Sequence, residues 1–213
     1  MKVDLDKWYR PQVDKEEFRK LCEKSDWAGF KHVLIYFSVL IFFGYLAYVS
    51  WGTWWSLLFF IIYGNIYACS DSIWHETGHK TAFKSMFWNK FFYQISSYMN
   101  NFEPVRWRWS HFKHHGFTAY DDPHDFEIAI RKPTDLFLFF SHFIPFAPMI
   151  TFHKTLQFET IKHAIGITSP VMEQCIPKKE QSKCRNSARI HVGIWIILIL
   201  ISIVYQTWLP VLY

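Results

Sequence analysis

The 213-residue chain carries 23 Lys and Arg against 18 Asp and Glu, and its net charge of +5 is spread over three separate segments, so it gives no footprint for nucleic acid. Four cysteines (Cys22, Cys69, Cys175 and Cys184) without a C-x-x-C pair exclude a dense disulfide framework and read as reduced thiols facing the cytosol. Half of the residues are hydrophobic (51%) and 21% aromatic, yet mean hydropathy is zero, because apolar blocks alternate with charged ones.

Met1 to Lys31 is of mixed charge and has no signal-peptide pattern, which makes residues 1–32 an N-terminal arm. Val33 to Val49 is an uncharged run of seventeen residues, just long enough as a helix to cross a hydrocarbon layer of roughly 30 Å. Trp54 to Cys69 is a second such run. The uncharged turn Ser50 to Thr53 between them is too short for anything but a tight hairpin, spanning 33–69. Trp51, Trp54 and Trp55 cluster at this turn, where amphipathic rings suit a membrane interface. Residues 70–189 form a polar region. Within it Leu136 to Ile150, fifteen residues with His142, Pro145 and Pro148, reads as an interfacial or re-entrant helix. Lys178 to Arg185 (KKEQSKCR) reads as a solvated loop, and Val192 to Leu209 as a third span within 190–213.

Every Lys and Arg lies in the arm, in the loop after the second span, or between Lys154 and Arg189. The positive-inside tendency therefore places the arm and both basic segments in the cytosol, the Trp51 turn on the far side, and Leu136 to Ile150 on one face of the bilayer. The expected fold is an all-α integral membrane protein: a helical hairpin plus a third transmembrane helix, with a cytosolic helical region bearing histidines.

Those histidines are the chemical signal. In His75-Glu76-Thr77-Gly78-His79 two imidazoles stand at i and i+4, on one face of a helix. In His111-Phe112-Lys113-His114-His115 the spacings i, i+3 and i+4 do the same. Neutral imidazole is a common ligand of iron, zinc and copper, so two such helices face to face would bracket one or two metal ions. Acidic neighbours (Glu76, Glu103, Asp121, Asp122, Asp125 and Glu127) can orient imidazoles or bind metal directly. His-Glu-x-x-His by itself is also the zinc metalloprotease pattern, with Glu76 as general base. Against that stand three further histidines, more than a catalytic zinc needs, and the absence of an Asp-Gly pair.

The run W-H-E-T-G-H-K-T-A-F (Trp74 to Phe83) followed by W-R-W-S-H-F-K-H-H (Trp107 to His115) resembles the membrane-bound fatty acid desaturase superfamily. The likeness is nearest to its acyl-lipid branch, where H-E-C-G-H-x-A-F precedes W-x-x-S-H-x-x-H-H, and it extends over roughly Val33 to Pro133. The resemblance implies a non-haem di-iron site that uses O₂ to remove hydrogens from an acyl chain. It further implies a fatty acyl lipid or acyl-CoA substrate and an electron donor of the cytochrome b5 or ferredoxin kind. His75, His79, His111, His114 and His115 fall on the family's metal positions, and Glu76, His124 and Asp125 are candidates to hold those imidazoles from behind. The membrane would be the endoplasmic reticulum in a eukaryote and the inner membrane in a bacterium. The family pattern also has a third cluster, H-x-x-H-H or Q-x-x-H-H, after a fourth span, and none occurs before Tyr213. The expectation is an N-terminal portion, inactive as it stands. Alternatives are a lipid hydroxylase or oxygenase of the same superfamily, a membrane zinc protease, and a non-catalytic degenerate homologue.

The isolated His32, His142, His153, His163 and His191 read as interfacial or hydrogen-bonded residues rather than ligands. Trp107 and Trp109 read as an aromatic belt, Arg106 and Arg108 as contacts to phosphate or solvent. Asn65, within the second span, would line a groove or bond a neighbouring helix. Glu103-Pro104 marks a turn.

Overall fold

The computed structural model describes residues 12–117, 156–207 and 209. Helix α1 is Lys15–Leu21, capped by Asp14, whose carboxylate accepts from the Glu16 and Glu17 amides at 2.9 Å each. Ser25 caps α2, Asp26–Val49, which therefore starts seven residues ahead of the uncharged run. The chain reverses through Ser50–Thr53, where Gly52 takes φ +85°, a conformation that favours glycine. Helix α3 is Trp54–Ala68, and α4, Ser70–Gly78, continues it through a helical Cys69.

Small residues set the hairpin contact. Gly44 and Ala47 are buried on α2, and the Ser56 hydroxyl donates to the Ala47 carbonyl at 3.3 Å. Near the other end the Tyr36 hydroxyl donates to the Tyr67 carbonyl at 3.2 Å. The opposite faces are apolar and bare, with Leu34 at 58%, Ile41 at 67% and Phe42 at 55% exposed. Burying such a side chain is worth about 1.5–3 kcal/mol, so a surface of this kind belongs in lipid rather than water.

Helix α5, Met86–Met99, folds back against α4, and α6, Pro104–Phe117, follows a tight turn. The segment between α4 and α5 is pinned by Asn89. Its side-chain amide donates to the Phe83 and Ser85 carbonyls at 2.8 and 2.9 Å and accepts from the Phe83 amide at 3.2 Å. Asp26 at the start of α2 takes the Ser85 amide at 2.7 Å. Phe83 thereby enters a core with Val33 and Phe92. Helices α7 (Leu156–Ala164), α8 (Pro170–Cys175) and α9 (Lys178–Val204) complete the described elements, none of which is a strand. Among the described residues three helical stretches are long and apolar enough to cross a membrane: Asp26–Val49, Trp54–Gly78 and Lys178–Val204.

Several expectations change. The helix that carries the third apolar run starts at Lys178, ahead of Val192, and ends at Val204, after which Gln206 takes φ +49°. Lys178 to Arg185 is thus helix and not a solvated loop. Its polar run hides Cys184, Ala188 and His191, at i, i+4 and i+7, all 0% exposed on one inward face. Asn65 bonds within its own helix, its amide donating to the Ile61 carbonyl at 2.8 Å. His191 is neither interfacial nor hydrogen-bonded among the described residues, but lies between the rings of Tyr98 and Trp195. The interfacial helix expected near 136–150, with His142, falls outside the described residues, as does His153.

Gly29 provides a test of the α2 packing. A Cβ there would lie 2.6 Å from the Ala82 carbonyl oxygen and from the Phe83 ring. Gly29→Ala should cost about 1–3 kcal/mol and lower the melting temperature in detergent, whereas Gly64→Ala, with nothing within 4 Å, should not.

Candidate metal centre

Two helix ends meet to make the site. Helix α4 closes in a left-handed turn: His79 bonds back to the His75 carbonyl, Lys80 takes φ +62°, and the Thr81 amide reaches the Glu76 carbonyl at 3.0 Å. This termination leaves His75 and His79 projecting from the last turn. Helix α6 starts at Glu103, whose carboxylate accepts from the Val105 and Arg106 amides at 3.0 and 2.6 Å, with Pro104 in the first turn. Two turns later it presents His111 and His115.

Trp74 aligns the two. It is buried, stacks on Tyr93, and meets Phe102, Trp107 and His111 edge to face at centroid distances of 5.0, 5.8 and 5.1 Å. Trp107 stacks on Phe102 at 4.1 Å, so it is core and not interfacial belt. Arg106 is likewise buried, pairing with Glu159 at 3.3 Å rather than facing phosphate or water.

The imidazoles of His75, His79, His111 and His115 converge, each offering a nitrogen within 4.8 Å of the other three. His79 Nε2 is 3.1 Å from His111 Nε2, and His115 Nε2 lies 3.0 and 3.1 Å from those two. Hydrogen bonds cannot satisfy all three edges of such a triangle, because each neutral ring nitrogen has either one proton or one lone pair. A cation can. Nitrogens about 2.1 Å from an ion lie ~3.0 Å apart at right angles and ~3.4 Å apart at the tetrahedral angle. The observed spacing is close to that of nitrogens sharing one ion, so the donor set fits a metal cation. Partial burial, then the like charges of His75, His111 and His115, hold His79 below the ordinary imidazole range, with Glu76 opposing. That keeps its lone pair free for metal.

Glu76 stands behind the cluster. Its Oε1 is 3.1 Å from His75 Nδ1, and its Oε2 accepts from the Thr81 hydroxyl at 2.6 Å. Both oxygens thus serve to orient side chains, whereas a metalloprotease glutamate must face the metal-bound water. His114 is not one of the four. Its ring lies 6.0 Å, centre to centre, from those of His111 and His115. His124 and Asp125 fall outside the described residues. Beside the histidines opens a cleft of about 390 Å³ lined by Trp74, Tyr93, Trp109, Phe112, Lys80 and Arg108.

The sequence model of the family described as fatty acid desaturase matches residues 50–213. The chain belongs to that family. No curated protein and no solved structure matches it. In this desaturase-family chain the four converging histidines come from the two motifs that carried the sequence resemblance. What the sequence did not reveal is the group behind α6, where Glu103, Arg106, His163 and Cys184 are all buried. The only sequence trace of it was the helical spacing of Cys184, Ala188 and His191.

Two outcomes follow. His79→Ala, His111→Ala or His115→Ala should weaken metal binding at least ~10-fold, and His114→Ala less, read as metal retained per purified chain after dialysis against a weak chelator. Glu76→Gln, which leaves the four nitrogens in place, should cost ~10–100-fold in affinity in the same assay; unchanged affinity would remove its positioning role.

Proposed function

We propose that this chain carries part of the non-haem iron centre of an O₂-dependent membrane oxidoreductase of lipid metabolism that desaturates a fatty acyl chain. The observation that carries the reading is the triangle of ring nitrogens at 3.0–3.1 Å, set at the end of an apolar hairpin in a chain of the desaturase family. His75, His79, His111 and His115 would hold one iron. A second would draw on His114. When bound, the iron centre supplies the oxidising power, with O₂ as co-substrate, to break an unactivated C–H bond.

The chain's own residues do the rest. Glu76 fixes the His75 ring through Nδ1 and is itself held by Thr81, so the imidazole keeps one tautomer and one direction. Trp74, Tyr93, Trp109 and Phe112 line the cleft with apolar surface that suits a methylene chain and restricts water beside the histidines. Lys80 and Arg108 at the same cleft suit a negatively charged headgroup, of a lipid or of acyl-CoA. The positive-inside tendency assigns this end to the cytosol, within reach of a donor of the cytochrome b5 or ferredoxin kind. Membrane lipids surround the three spans, and the endoplasmic reticulum or a bacterial inner membrane is the proposed location.

Fatty-acid analysis of cells expressing the complete gene is the direct test. An acyl species two hydrogens lighter is expected, absent when His111→Ala replaces the wild type. A hydroxylated product would move the assignment to oxygen insertion. An unchanged profile from iron-loaded protein supplied with reductant would overturn the reading.

A further inference from the structure

Behind the histidine-bearing helix lies a second convergence of metal-binding atoms. Glu103 precedes α6, His163 sits on α7 and Cys184 on α9. They are 1%, 1% and 0% exposed, and one ligand atom from each lies within 4.8 Å of the others. Cys184 Sγ is 3.1 Å from Glu103 Oε2 and 3.7 Å from His163 Nδ1. On the far side of the ring His163 Nε2 is 2.7 Å from the Ser169 hydroxyl, which also accepts from the Met172 amide. In the tautomer in which that hydroxyl takes the Nε2 proton, Nδ1 faces the thiol as a bare lone pair. The thiol has one proton, and two buried acceptors compete for it. If the proton goes to Glu103, the Nδ1 lone pair is left over.

A divalent ion in place of that proton serves all three atoms at once. We infer that Glu103, His163 and Cys184 form a zinc site, distinct from the histidine cluster, that clamps α6 and α7 to the third span. Cysteine sulfur, imidazole nitrogen and carboxylate oxygen are the donors zinc takes, and about a tetrahedral zinc the sulfur would stand ~3.5 Å from each of the other two. The observed 3.1 and 3.7 Å bracket that value. Zn²⁺ with a thiolate and a carboxylate adds no net charge to the buried group, and Arg106 is separately paired with Glu159 at 3.3 Å. Binding releases one proton, from Cys184 to solvent, and changes no oxidation state. Glu103 and His111 are eight positions apart, roughly 12 Å along the axis, so the two centres do not share ligands. The burial leaves no path for substrate, and the role is structural: it fixes the start of the helix whose end presents His111 and His115.

The test uses the full-length protein, purified in mild detergent without chelators or a polyhistidine tag. Metal counting with zinc-edge X-ray absorption should find about one zinc per chain with a sulfur neighbour at ~2.3 Å. Cys184→Ala should lose the sulfur signal and at least ~10-fold of the zinc affinity, while metal sensitive to His111→Ala is retained. Because that variant can also misfold, cobalt(II) is titrated into stripped wild-type protein, where a thiolate-to-cobalt charge-transfer band should appear and zinc should bleach it. Wild-type protein with neither a sulfur-bound zinc nor the cobalt band would overturn the proposal, and so would a cobalt band that persists in folded Cys184→Ala. The three residues would then be a hydrogen-bonded clamp without metal.

Discussion

The packing of Trp74 is the constraint on which the metal centre depends. The ring is one residue before His75, is 4% exposed, and touches α5, the turn before α6, and α6 itself. Edge-to-face contacts with Phe102, Trp107 and His111 fix both the rotation of α4 and its distance from α6. An i, i+4 pair on one helix sets two imidazoles about one turn apart, and only the crossing of a second helix makes four nitrogens converge. An indole locked by packing holds that crossing at low entropic cost, because it has only two side-chain torsions to order. Gly78 belongs to the same arrangement, since a Cβ there would lie 3.1 Å from the Tyr93 ring.

The molecule divides along its axis by what surrounds each part. The hairpin and the second half of α9 expose branched and aromatic side chains and carry few hydrogen bonds beyond their own backbones. Around α4, α5, α6 and α7 several polar groups are instead buried and paired, as with Asn89, Glu103 and the Arg106–Glu159 ion pair. An ion pair of this kind adds little net stability but is costly to break, so it specifies geometry more than it strengthens the fold. Trp195 on α9 joins the parts by donating to the Asn101 side chain at 3.1 Å.

Much of this was legible in the sequence. Uncharged runs of membrane length can be read directly, because lipid tolerates few charges and the backbone must bond within the helix. Histidine pairs at helical spacing were equally plain, as were the flanking Trp74 and Trp107 as marks of a family. Less legible was anything decided by partners remote in sequence. Arg106, in a basic string, seemed destined for solvent, yet Glu159 draws it inside. Lys178 to Arg185 seemed a loop because polarity masked a sparse inward stripe, whose small members Cys184 and Ala188 carry little hydrophobic signal.

The sequence by itself determined that the chain is helical, that three segments suit a membrane, and that paired histidines sit beside the second of them. These follow from local periodicity and composition, which need no knowledge of neighbours. The tertiary structure brings one nitrogen each of His75, His79, His111 and His115 together, and it assembled Glu103, His163 and Cys184. Such groupings rest on helix crossings and buried contacts between residues up to 81 positions apart, which local patterns do not encode.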